Sequence, residues 1–297
     1  MKKRTLLASL ALALALTVEA QVERNVTYRC ARGNLTYTEP VQKKESTSKT
    51  VGKIFGSVLQ AAAGVSNTTT DYPQYADAVK DAIMGGIGSA RRINVIDGSF
   101  LPGELAEGET AMYCDASVSN ISCTTRIMTW EDKDKKKHER TEYRGNIVGT
   151  MNLKDAKNDQ IVITHTVNSS SWVSSWADTP DKAIGYAIDG MKDYIRTMLN
   201  NAFPIYANIV EGARATDTKS KEVYINVGEA IGCYNGMHFN VYTVKTVAGK
   251  EAKKQIGQLR VTETMGDDIS LCKVQRGGAE IKTAIDAGET LLITSRD

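Results

Sequence analysis

Two hydrophobic periods alternate along this chain of 297 residues. Val51, Ile54, Phe55, Val58 and Leu59 recur at the i, i+3, i+4, i+7 spacing of an amphipathic helix. The pattern runs on through Ala61-Ala62-Ala63-Gly64-Val65 and ends in polar residues 67–70. A second helix opens near Asp71, with Pro73 in its first turn and Tyr75, Val79, Ala82 and Ile83 on its apolar face; Gly85-Gly86 closes it. The longest starts at Thr179-Pro180. There Ile184, Ala187, Ile188, Met191, Ile195, Met198, Leu199 and Ala202 trace one stripe, stopped by Pro204.

Period two governs the rest. Residues 25–39 read as two β runs around the turn-like Ala31-Arg32-Gly33-Asn34, with Tyr28, Leu35 and Tyr37 as core candidates, and residues 93–97 as a short strand. Residues 113–167 read as an antiparallel meander. Its first strand runs on to Trp130, residues 131–140 form a charged, solvated hairpin tip, and strands return over 143–153 and 160–167. Beyond Pro204, six short β runs punctuated by Gly, Asn, Asp and Lys predict a small β barrel. The expected architecture is an α/β domain over 21–207, with a mixed sheet and helices on one or both faces, followed by the barrel over 208–297.

The first twenty residues read differently. Lys2, Lys3 and Arg4 precede an apolar run over 6–16, and Val18-Glu19-Ala20 offers a signal-peptidase site before Gln21. That run is too short for a bilayer core, which takes about 20 residues. Residues 1–20 are therefore an expected signal peptide, and Gln21 in place of Cys lacks a bacterial lipid anchor. Removing the segment takes three of 37 basic and one of 35 acidic side chains, leaving 34 of each. A balanced charge sets nucleic acid aside as a partner. No later run is apolar enough for a transmembrane span.

Export permits disulfides, and five cysteines leave at least one over. Cys114 and Cys123 on one strand would lie roughly 30 Å apart, beyond bridging distance. Cys233 with Cys272 is the candidate pair, against the alternative of small buried thiols. His138, His165 and His238 sit in separate segments without a nucleophile or zinc motif, and Asp267-Asp268 falls in a turn. No catalytic residue, cofactor or metal ligand is assigned. Gly85-Gly86-Ile87-Gly88-Ser89 follows a helix where a phosphate loop would precede one, so it reads as a helix end.

RRINVIDGSF (91–100), YCDASVSNIS (113–122) and YRGNIVGTMNLKDAKNDQIV (143–162), ahead of a long helix, resemble the curli-secretion channel family. Outer-membrane activators of penicillin-binding proteins, and the N-terminal domain of the Tol-system β-propeller protein, share that domain shape. VYINVGEAIGCYNGMHFNVYTV (223–244) with QIGQLRVTETMGDDISLCKV (255–274) resembles the C-terminal domain of the T-type flagellar assembly protein. The resemblance implies a non-enzymatic assembly or scaffold protein at the periplasm or outer-membrane periphery of a Gram-negative bacterium. The anchoring Cys of the channels and activators is missing here, and the charged 131–140 tip is unlike a membrane-inserting hairpin.

Ile54, Phe55, Val58 and Leu59 are candidate interface residues, with core packing on the sheet as the alternative. Trp130, Trp172 and Trp176 are a second candidate interface, Trp172 and Trp176 flanking Ser174-Ser175, with burial in the core as the alternative. Expected partners are envelope proteins or further copies of the chain, with peripheral membrane contact left open. Competing functions are a secreted glycan- or peptide-binding module and a hydrolase. Export predicts that N-terminal sequencing of protein recovered from a cell envelope fraction starts at Gln21; a start at Met1 would remove the signal peptide from the argument.

Overall fold

The computed structural model describes residues 25–38, 65–68, 72–98, 110–169, 175–247 and 250–296. The expected signal peptide, the segment carrying Ile54, Phe55, Val58 and Leu59, and Trp172 lie outside them. The N-terminal sheet is mixed. Its strands run in the order β3 (Ile93–Ile96), β1 (Tyr28–Tyr37), β4 (Thr110–Glu131), β5 (Lys137–Asp155) and β6 (Ile161–Asn168), with β2 (Val65–Thr68) paired to β4. β1 is parallel to β3 and β4, whereas β4, β5 and β6 form the antiparallel meander.

Alternate residues of β4 and β5 point into one core. Cys114, Ala116, Val118, Ile121, Ile147, Met151 and Leu153 meet the apolar faces of helices α1 (Ala76–Gly88) and α2 (Pro180–Ala202). Ser122, Thr124, Asn146 and Asn152 take the intervening positions, and Asn146 donates to the Thr124 hydroxyl at 2.7 Å. A sheet apolar on one face accepts helices on that face. α2 forms because Thr179 is extended and accepts from the Lys182 N–H, Pro180 fits the first turn, and Ala183, Ile184, Ala187, Met191, Ile195 and Leu199 line one buried stripe. Each large side chain fully buried there stabilises the fold by about 1.5–3 kcal/mol.

Two glycines set how close α2 comes. A Cβ on Gly145 of β5 would lie 2.5 Å from the Ala183 carbonyl oxygen, and one on Gly86 of α1 would lie 2.9 Å from both Ile195 Cβ and the Lys192 carbonyl oxygen. Residues 85–89 are the helix end as read, but the stop falls after Gly85-Gly86 rather than on them. The helix continues to Gly88, and Ser89 closes it by donating from its hydroxyl to the Gly85 carbonyl at 2.7 Å.

Two further expectations change. Residues 25–39 are not a pair of runs: Ala31-Arg32-Gly33-Asn34 is a bulge inside the single strand β1, with the register slipping between Arg32 and Leu35. The Asn34 N–H donates to Asp115 Oδ1 at 2.7 Å, so the ladder is broken without stranding that donor. Val65, read as the end of a helix, begins β2 opposite Arg126.

The C-terminal region is a closed barrel, as the short β runs predict. β7 (Tyr206–Ala215), β8 (Ser220–Ile225), β9 (His238–Val247), β10 (Lys250–Thr264), β11 (Ser270–Arg276) and β12 (Leu291–Arg296) close in the order β10-β11-β8-β7-β12-β9. Phe239, Val241, Leu259, Val261, Cys272 and Ile293 fill it. A helix the periodicity did not predict, α3 (Gly278–Asp286), adds Ile281 and Ala284 to that core. The candidate disulfide is corrected here. Cys233 and Cys272 share the barrel core as free thiols, and Cys233 Sγ faces the Ser270 hydroxyl at 3.5 Å.

Buried Arg92 joins the two regions. Its guanidinium donates to the Val26 carbonyl at 2.6 Å and to the Pro204 carbonyl at 2.7 Å. Asn25 grips the start of the barrel, accepting from the Tyr206 N–H at 2.9 Å and donating to its carbonyl at 2.7 Å.

Overpacking at such contacts removes about 1–3 kcal/mol. G145A and G86A should each lower unfolding free energy in urea by roughly 2–3 kcal/mol. G185A, in α2 with nothing near its added Cβ, should raise it by about 0.5–1 kcal/mol. Equal effects at all three positions would show that the close approach is not limiting.

Candidate functional site

The histidines do not converge. His165 pairs with the Tyr194 hydroxyl of α2 at 2.9 Å, and His138 with Asp132 at 2.8 Å. His238 Nδ1 is buried without a hydrogen-bond partner. Asp267 and Asp268 sit in the turn between β10 and β11, where the Asp267 carbonyl accepts from the Ala230 N–H. Burial pushes the Cys30 thiol up to about 12 and Cys123 to about 11, and raises Cys114, Cys233 and Cys272 as well. Thiols held protonated are poor nucleophiles and poor metal ligands. Among the described residues no group of three or more His, Cys, Asp or Glu is placed to hold a metal ion.

The distinctive surface is the far end of the β4–β5 hairpin. β2 leaves β4 at Arg126, β6 leaves β5 at Val148, and a single bridge from Tyr143 to Ala177 follows. Beyond these points β4 and β5 continue as a two-stranded ribbon, pairing Ile127 with Thr141 through to Glu131 with Lys137. Five more residues of β4 at 3.4 Å each make an arm of about 17 Å. Among the described residues its outer edges carry no further strand.

Its side chains are unusual for such an element. Ile127 is 49% exposed, Met128 41% and Trp130 49%. Trp130 stacks on His138 across the ribbon, ring centroids 5.3 Å apart and planes 17° from parallel. Asp132 organises the tip: one carboxylate oxygen accepts from the Asp134 and Lys136 N–H groups, and the other meets His138. Those contacts, the His138 bond foremost, hold its carboxyl below the ordinary value. The charged residues read as a solvated tip are therefore built into a defined turn.

An ion cluster braces the base of the arm. Glu142, its side chain 8% exposed, accepts from Arg126 at 2.6 Å and 2.8 Å and also from Arg140. Arg126 in turn covers the Trp176 ring, 4.1 Å from guanidinium carbon to ring centroid. Trp176, a candidate interface residue, is thus half-buried beneath that cation. The sequence reading passed over Ile127, Met128 and Arg126; a meander whose first two strands outlast the third by several residues is the pattern that could have found them.

No family model matches the chain, and no curated protein matches it. Solved structures similar to it include a neuraminyllactose-binding hemagglutinin homolog from Helicobacter pylori. That match has 11% identity over 61% of this chain and 82% of the other, with a TM-score of 0.25. Another is protein XCC0632 from Xanthomonas campestris, family-model DUF330, at 8% identity over 60% and 83%, with a TM-score of 0.27.

Arg126, and then Arg140, depress the Glu142 carboxyl against the opposing effect of desolvation. Its stabilisation is complete above the unfolded carboxyl value of about 4.3 and is lost as pH falls through the lower folded value. E142Q should therefore melt earlier than the natural chain at pH 7, and the gap should close on acidification below about pH 4. Thermal melts followed by tryptophan emission read this directly; a gap independent of pH would detach the cluster from the arm's stability.

Proposed function

We propose that the chain is an exported, non-enzymatic assembly or scaffold protein of the cell envelope, and that its arm joins it to a second copy of itself. The observation that carries this reading is the two-stranded ribbon, uncovered by any other described strand, with exposed Ile127, Met128 and Trp130. Aromatic anchors favour interfaces.

A second copy suits the tip because its charges are self-complementary. Glu131, Asp132 and Asp134 precede Lys135, Lys136 and Lys137, so a two-fold contact sets acidic against basic residues twice over. No helix among the described residues is long and apolar enough to cross a membrane. The resemblance of residues 91–162 and 223–274 to envelope and flagellar assembly families points to the same class of work.

Light scattering coupled to size exclusion on residues 21–297 tests the reading. The expected result is a discrete oligomer that I127S/M128S/W130S reduces to monomer with little change in melting temperature. The variant I54S/F55S/V58S, run beside it, asks whether the other candidate interface contributes. A monomer in every form rejects self-assembly. A photo-crosslinker at Thr129 that then captures no envelope protein would reject the scaffold reading as well.

A further inference from the structure

The barrel holds a second feature, remote in sequence from the arm. At the start of α3 lies a concavity of about 520 Å³. Its basic lining is gathered from separate elements: Arg214 on β7, Lys219 in the following turn, Lys221 on β8, and Lys273 and Arg276 on β11. Arg214 is engaged by Glu222 at 2.7 Å. Lys219, Lys221, Lys273 and Arg276 have no ion pair among the described residues. Glu280, in the first turn of α3, is the carboxylate in the lining. With Arg214 neutralised by Glu222, four cations stand against one carboxylate and make the hollow positive on a chain whose overall charge is close to balance. A concave wall of low dielectric concentrates such a field.

The floor of the hollow includes a polar side chain. Ser220 lines it and is only 5% exposed, yet its hydroxyl makes no hydrogen bond among the described residues. The backbone passes directly over it: Gly277 adopts a left-handed conformation with φ 75°, and a Cβ on Gly278 would lie 2.7 Å from the Ser220 carbonyl oxygen. α3 starts on this Gly pair without a side-chain cap, so its first N–H groups have no side-chain acceptor.

We propose that this hollow binds a phosphate-class oxyanion, either a free phosphate compound or the phosphomonoester of a lipid headgroup. Lys219, Lys221, Lys273 and Arg276 neutralise it, and the Ser220 hydroxyl donates to it. Cations converging from a turn and two strands suit a compact group with several charged oxygens better than a single planar carboxylate.

Calorimetric titration of sodium pyrophosphate into residues 21–297, at ionic strength fixed with sodium chloride, tests this. Saturable binding at one site is expected, weakening as salt rises. K221E/K273E should weaken it by at least about tenfold, whereas the charge-matched K157E/K250E should leave it unchanged. S220A should weaken it by a smaller factor, and melting curves establish that each variant is folded. Equal losses in both double variants would reduce the effect to general electrostatics and overturn the site. Phosphatidylcholine vesicles with and without phosphatidic acid separate the two sources. Cosedimentation that needs phosphatidic acid and is abolished by K221E/K273E identifies a headgroup, and pyrophosphate binding without cosedimentation identifies a free compound. Failure of both probes overturns the proposal, while leaving the arm untouched.

Discussion

The approach of α2 to its neighbours is the constraint on which the N-terminal region depends. Side chains of ordinary size keep a helix about 10 Å from a sheet or another helix. At Gly145 and Gly86 the missing Cβ lets backbone meet side chain and carbonyl directly. That contact holds Ala183 and Ala187 against β5 and Ile195 against α1, and the buried stripe of α2 then seals the core between them. The same seating carries Asn200, near the C-terminal end of α2, to the turn before β3, where its side-chain oxygen accepts from the Arg91 N–H at 2.9 Å. Arg92, the next residue, reaches the junction with the barrel. One glycine-mediated contact is therefore connected, through a few hydrogen bonds, to how the two regions meet.

Much of the fold was legible wherever one face of an element is buried and the other wet. α2, the β4–β5–β6 meander and the barrel strands all show it, because burial imposes a period on the sequence. What escaped was settled by tertiary contacts. Gly85-Gly86 carries the composition of a helix end, but the position of Ile195 makes it a packing surface. Ala31-Arg32-Gly33-Asn34 carries the composition of a turn, but Asp115 satisfies the freed donor and keeps the strand whole. α3, nine residues long, is too short for a clear helical period after two glycines. The arm was visible as charge and as Trp130 alone. Its exposed Ile127, Met128 and Trp130 gain meaning from their place on a two-stranded ribbon, which no single segment reveals. Cys233 and Cys272 were placed in one core, and their side chains there are free thiols.

Charge is segregated more than its near-balance suggests. The tip of the arm mixes both signs within ten residues and organises part of them around the Asp132 turn. The hollow beside α3 gathers one sign from elements separated in sequence. The first arrangement suits pairing with a like surface, and the second suits a small multivalent anion. The two surfaces belong to different regions, so contacts at one need not obstruct the other.

The order of strands in the barrel has a consequence for how the chain comes to be folded. β7, the first barrel strand, pairs on one side with β12, the last, and β12 also pairs with β9. The Ile205 N–H, at the barrel's entrance, donates to the hydroxyl of Ser295 in β12. Closure thus brings together segments about ninety residues apart, and such long loops must form before their contacts repay the lost entropy. Until residue 296 is free to add, β7 and β9 each lack a neighbour. A ribosome that still holds β12 would hold the barrel open, whatever the N-terminal sheet had already done.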